Sequence, residues 1–281
     1  MGLVLLFLGV LFLLQNLGVV GWDVWGTLWR FWPVLLIVIG LGLIWGRRSP
    51  WLMFGLSVAL LAGAVLVAIF TAGTTGPATT SFKQSLSRMD SARVEVRFGA
   101  GELSVGSLPE SSVNLVEATG SPDLKGEFRL RDHTGVLTLE APGRGWNWFG
   151  GGREIRLDAE LSRRIPIELA VRTGASHGRI DLSDLKVTSL TMEVGASTLD
   201  LRLPSRAGVT EAALKAGASH LTVVVPQGVA ARIAVASGVS SVTVAPRFPG
   251  SGGRYQSADY ATAANRVDLS IEAGASTIDI R

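Results

Sequence analysis

The triplet Gly-Ala-Ser occurs four times in the second half of the chain, at 174–176, 195–197, 217–219 and 274–276. Gly238-Val239-Ser240 and Gly99-Ala100-Gly101 are variants of it. From Gly174 to Gly238 the spacings are 21, 22 and 21 residues, and the last gap of 36 returns to 21 once the 15-residue insertion 246–260 is set aside. Each unit reads as a β-branched alternating strand, the triplet, a second strand and a turn such as Leu203-Pro204-Ser205 or Val225-Pro226-Gln227-Gly228. Two short strands repeated about every 21 residues specify a solenoid, because each unit alone cannot bury its apolar face.

The repeat also orients the side chains. Three residues past the middle of each triplet stand Leu103, Leu199, Leu221, Val242 and Ile278, and two further on stand Val105, Leu201, Val223, Val244 and Ile280. Between them lie Ser104, Asp200, Thr222, Thr243 and Asp279. Such in-register alternation stacks apolar columns inside and a polar ladder outside. At the 174 unit, Gly178-Arg179 reads as two extra residues before Ile180, Asp181 and Leu182 resume the pattern. The repeat glycines, Gly99, Gly174, Gly195, Gly217, Gly238 and Gly274, are read as tight corners that need both glycine's backbone freedom and its small size. The chain stops at Arg281, just past an inward Ile280. The terminal coil is therefore expected to be covered by 246–260 or to dock a second β domain, giving a homo-oligomer through the C-terminal solenoid edge.

The first quarter is a different polymer. Residues 1–73 hold four formal charges (Asp23, Arg30, Arg47, Arg48), whereas the remaining 208 hold 23 Lys+Arg and 22 Asp+Glu. Uncharged stretches at about 2–21 and 51–72 are long enough to span a bilayer of roughly 30 Å, and one at 31–46 is short unless its helix starts near Val24; together they give three spans followed by a Gly/Pro-broken linker over 74–89. The stretch 82–89 inside that linker reads as a short helix. Arg47-Arg48 between the second and third spans, with Trp22, Trp25, Trp29 and Trp32 in the other loop, place the Arg loop inside and the β domain outside the cytoplasm. The chain is thus expected in the plasma membrane, multi-pass, with the lipid bilayer as a partner. The outer part nets +1 (23 − 22) without a basic cluster, which excludes nucleic acid as a partner.

The run LLFLGVLFLLQNLG, a Trp-rich loop, and then LWRFWPVLLIVIGLGLIWGRR resemble the paired-helix membrane region of LiaI/LiaF-like proteins. The repeated Gly-Ala-Ser after a strand resembles the toast-rack, or adhesin-like, β domain over about residues 90–281. The resemblance implies a membrane protein of the bacterial envelope-stress response, in which LiaF-type proteins tune a membrane histidine kinase. Members differ in span number and in the side that the β domain occupies, so sidedness does not carry over.

No cofactor or metal is expected, and no enzyme. The absence of Cys excludes disulfides, thiol nucleophiles and zinc ribbons. His177 and His220 fall two coils apart with Thr198 between them, which puts their backbones nearly 10 Å apart at about 4.8 Å per coil, too far for one ion. His133 stands in a turn beside Asp132. Asp181 and Asp200 are the residues a glycosidase-type acid and base would use if the β domain cleaved polysaccharide. Their basic neighbours Arg179, Lys186 and Arg202 favour an exposed charge ladder. The candidate interface is the loop 142–153, in which Arg144, Trp146, Trp148, Phe149 and Arg153 set aromatic rings between guanidiniums. Those rings either fold back over the first coil or contact a membrane surface, a glycan or a partner protein. An adhesive or structural module is the alternative function.

Overall fold

The computed structural model describes residues 79–86, 89–142 and 155–281, all in one β domain. The three expected spans and the 143–154 segment lie outside the described residues. The unit that carries the fold is a strand that turns a corner and continues. β2 (Ser91–Ser107) and β7 (Pro166–Asp181) each run through the corner, whereas β8 (Lys186–Val194) and β9 (Thr198–Arg202) are the same path broken by it. The next unit is β10 (Val209–Ala216) with β11 (His220–Val224), then β12 (Ala230–Ser237) with β13 (Ser241–Val244), then β16 (Arg266–Ala273) with β17 (Thr277–Ile280). All of these pair in parallel, forming two strand layers that share one apolar core.

The inward rows are those the repeat defines. Leu103, Leu199, Leu221 and Ile278 stack as one column, and Val105, Ile180, Leu201, Val223 and Ile280 as the next, each at most 2% exposed. Gly178 is not an extra residue. It pairs with Leu103 and Leu199 inside the first column, where a Cβ would lie 2.4 Å from Leu199 Cδ1. The glycine thus makes room for a leucine from the neighbouring coil, and Arg179 falls in the polar row beside Asp200.

Coil order departs from chain order. β16 pairs with β10 on one side and β12 on the other, and β17 lies likewise between β11 and β13. After β11 the chain skips one coil position, lays down β12–β13, and returns through the insertion to fill the gap. The last coil is therefore interior, with Ile271, Ile278 and Ile280 fully buried. This corrects the expected open edge at Arg281: the terminal strands have partners on both sides and offer no free edge for strand addition. The insertion does cover an edge, but that of β12. Within it β14 (Gly250–Ser251) and β15 (Arg254–Gln256) form a hairpin, and β15 pairs antiparallel with β12.

The other end is closed by antiparallel strands. β1 (Thr80–Ser85) pairs with β3 (Asn114–Gly120), β3 with β6 (Arg156–Leu161), and β4 (Lys125–Arg131) with β5 (Thr134–Ala141). β1 corrects the helical reading of 82–89, and it lies within the expected linker. Phe82 alternates inward with Thr80 and Gln84, and its ring occupies the space that a side chain at Gly126 would need. Burial of Phe82 against the core with Phe128 and Met89 overrides any local helix preference. The β4–β5 turn places Asp132 and His133 at positive φ, as a two-residue hairpin turn requires.

Candidate functional site: the glycine corner and its charged rim

The six repeat glycines come together as one column, in the spatial order Gly99, Gly174, Gly195, Gly217, Gly274, Gly238. A Cβ on Gly174 would stand 2.6 Å from the Gly99 carbonyl oxygen, and one on Gly195 would stand 2.6 Å from that of Gly174. The same contact is 3.2 Å from Gly217 to Gly195, 3.1 Å from Gly274 to Gly217 and 3.3 Å from Gly238 to Gly274. None of these glycines has a positive φ. The conformational half of the corner expectation therefore fails and the steric half holds: glycine stands here because each coil's carbonyl sits on the next coil's Cα. Gly101 is the exception. Its φ is +124°, and the returning chain at Ile155 leaves no space for a Cβ.

The serines of the triplets are more than small. Ser197 Oγ donates to the Gly174 carbonyl at 3.1 Å, Ser219 Oγ to Gly195 at 2.7 Å, Ser276 Oγ to Gly217 at 2.9 Å and Ser240 Oγ to Gly274 at 2.8 Å. Ser197, Ser276 and Ser240 also accept from the backbone N–H of Ser176, Ser219 and Ser276. This ladder satisfies polar groups that stacking has removed from water.

Because the column has no side chains, it floors an open groove of about 970 Å³. One rim is a charged row in register: Glu140, Arg97, Arg172, Glu193, Lys215 and Glu272. Arg97 pairs with Glu95 at 2.9 Å and with Glu140 at 2.8 Å, and Arg172 with Glu193 at 3.1 Å and also with Glu95. Lys215 reaches Glu272 at 3.6 Å. The hydrogen bond from Arg97 to Glu95 holds that guanidinium above its usual pKa. Sequence reading missed this rim, although its signal was present: a charged residue stands two places before the glycine in five of the six units. Exposed pairs of this kind contribute little stability each. They fix a neutral, ordered polar face.

The loop holding Arg144, Trp146, Trp148, Phe149 and Arg153 lies outside the described residues, but both of its ends are at the corner. Pro142 lines the groove, and the Ile155 carbonyl accepts from the Glu102 N–H beside Gly101.

The remaining candidates do not form a chemical site. His177, Thr198, His220, Thr277 and Ser241 make one outward row, so Thr198 separates the histidines. Asp181 and Asp200 do not face each other: Arg202 stands opposite Asp181, and Arg179 opposite Asp200. Asp181 Oδ1 is taken by the Ser183 N–H and hydroxyl at 3.0 and 2.6 Å. Among the described residues no group of three His, Asp or Glu side chains could hold a metal ion.

The described residues form a repetitive β domain that stacks parallel coils on small corners. Residues 74–224 match the model of the N-terminal domain of toast_rack, DUF2154, and the chain belongs to that family. Residues 1–44 match the LiaI-LiaF-like transmembrane region, which marks the protein as membrane-associated. Among solved structures, a candidate cell adhesion protein from Clostridium sporogenes ATCC 15579 superposes with a TM-score of 0.64 at 20% identity, covering 73% of this chain and 99% of that one. That likeness shows a shared fold. A candidate adhesin from Bacteroides fragilis NCTC 9343 aligns at 11% identity over 73% of this chain and 98% of its own, with a TM-score of 0.28. No curated protein sequence matches the chain.

Proposed function

We propose that this protein is a non-enzymatic membrane component of the bacterial envelope-stress response. In this reading three helices anchor it in the plasma membrane, and its β domain lies outside the cytoplasm and modulates a signalling partner such as a membrane histidine kinase. The observation that carries the reading is the union of a LiaI-LiaF-like transmembrane region and a toast-rack domain in one chain. The contact element in this reading is the aromatic segment: Trp146, Trp148 and Phe149, flanked by Arg144 and Arg153, suit a headgroup layer or a partner at its surface. The ion-paired rim of the β domain suits contact without strong electrostatic steering.

The test is a chromosomal deletion, complemented by wild type and by a variant with all three aromatics changed to Ala. Expression of envelope-stress genes is measured after challenge with wall-active antibiotics. The expected result is an altered response in the deletion, restored by wild type and not by the variant. An unchanged response would favour the adhesive or structural reading, to which the Clostridium sporogenes fold relative lends its description. Protease added to intact cells, or to spheroplasts where an outer membrane exists, checks sidedness: degradation of residues 79–281 is expected.

A further inference from the structure

The two layers of the β domain end in four edge strands, and three of them are blunted. β4 carries Lys125, Glu127, Arg129 and Arg131, β1 carries Lys83 in an ion pair with Glu117, and β14 is only two residues long. β13 differs. Its sequence is Ser241-Val242-Thr243-Val244, with no charge and no proline, and among the described residues its only ladder partner is β17.

The parallel ladder decides which backbone groups stay free. Ser241 N–H donates to Ser276 and Ala245 N–H to Ile280, so the odd-numbered residues face β17. The N–H and C=O groups of Val242 and Val244 therefore point away from it, leaving two donors and two acceptors along the free edge. Both valine side chains point inward yet stay half-buried against the end of the core, and Val239 beside them is 89% exposed. Across the core, β15 extends the other layer one strand beyond β12, with Tyr255 on its inner face opposite Ile233. The result is a step: β15 and β14 carry one layer past β12, whereas among the described residues the other layer stops at β13.

The occupant follows from what fits. Residues 143–154 leave from the β5 coil, six coil spacings from β12, or about 29 Å. Twelve residues that go out and return reach about 20 Å. In the proposed reading residues 1–73 are taken up by the membrane spans, and the remaining 74–78 join β1 at the opposite end of the domain. A second copy placed by a twofold axis would drive its own β12 into the space that β15 fills. We propose that the free edge of β13 is a strand-addition site for one extended segment of another polypeptide, with small or β-branched apolar residues at alternate positions facing Val242, Val244 and Tyr255. This site is separate from the aromatic loop and does not depend on which side of the membrane the domain occupies.

The experiment uses the full chain in lipid nanodiscs and a fluorescent peptide copying residues 273–281, a strand that already pairs with the other edge of β13. Saturable binding is expected, with slowed amide exchange at Val242 and Val244. Val242→Pro removes a donor only on the free edge and should weaken binding at least tenfold, while Ile278 and Ile280 keep their exchange protection. Val244→Lys, an inward charge at the edge, should do the same and guards against misfolding of the proline variant. Absence of saturable binding, binding without protection of those two amides, or wild-type affinity in both variants would overturn the inference. So would Thr243→Cys forming disulfide dimers with itself in this otherwise Cys-free chain, since that assigns the edge to a second copy.

Discussion

The glycine corner and the opposite, turn-bearing side of the coils solve the same problem differently. At the corner every coil makes the same bend, so identical small residues stack and one serine ladder serves nearly all of them. On the turn side each connection is different. Gly228 follows Pro226-Gln227 at φ +79° with open space around it, while Arg247 clamps the neighbouring turns through the Val225 carbonyl and, at 3.2 Å, the Arg281 main-chain oxygen. Burial lowers the Arg247 pKa, a cost offset by those carbonyls and by the Phe248 ring 4.5 Å away. Corner glycines are thus required by neighbours, and turn glycines by their own backbone.

That distinction can be broken by substitution. Gly195→Val puts a branched side chain where even a Cβ meets a backbone oxygen at 2.6 Å, and it should cost about 3 kcal/mol or abolish folding. Chemical denaturation of the wild type and variant measures it, and a loss under 1 kcal/mol would refute the stacked-carbonyl account. Ser219→Ala removes the donor to the Gly195 carbonyl at a buried position and should cost about 1–2 kcal/mol in the same assay.

Gly228→Ala should cost about 1 kcal/mol, and Gly228→Asn less, because asparagine tolerates a left-handed backbone. Gly195→Asn should show no such relief, which is the sharpest separation of the two kinds of glycine. Tyr260 gives a pH handle on the turn side. Burial first, and then its 2.6 Å hydrogen bond to Asp268, raise the phenol pKa. Its contribution is therefore complete below the unfolded value of about 10 and fades as pH rises through the folded value. Tyr260→Phe should flatten that alkaline loss in a stability-versus-pH series. His177→Ala, on the exposed row, should change stability by less than about 0.5 kcal/mol.

The repeat made much of the corner legible, since it aligns the glycines, the serines and the inward columns. The rim has a weaker signature, because its row mixes Arg, Lys and Glu and no single residue type holds the place two before the glycine throughout. The β1 strand was not legible as a strand: Phe82, Leu86 and Met89 fall at the helical spacing i, i+4 and i+7, and only pairing with β3 and packing against the core decide it. The register of Asp181 and Asp200 was not legible either: adjacent coils offset them so that each stands opposite an arginine.

Side-chain alternation is a local property with a period of two, so the sequence by itself determined which residues face the core, where the coils bend and that parallel coils stack. It also marked the uncharged first quarter as membrane-associated, since a bilayer admits few charges. The order of the coils is not local. Units with the same inward rows present nearly interchangeable faces, so the sequence of 266–280 is compatible with an edge position or an interior one. The tertiary structure chose the interior, where β16 and β17 gain backbone partners on both sides and the insertion remains free to cover β12. The same choice moved the uncovered edge from the end of the chain to β13, which no local pattern could reveal.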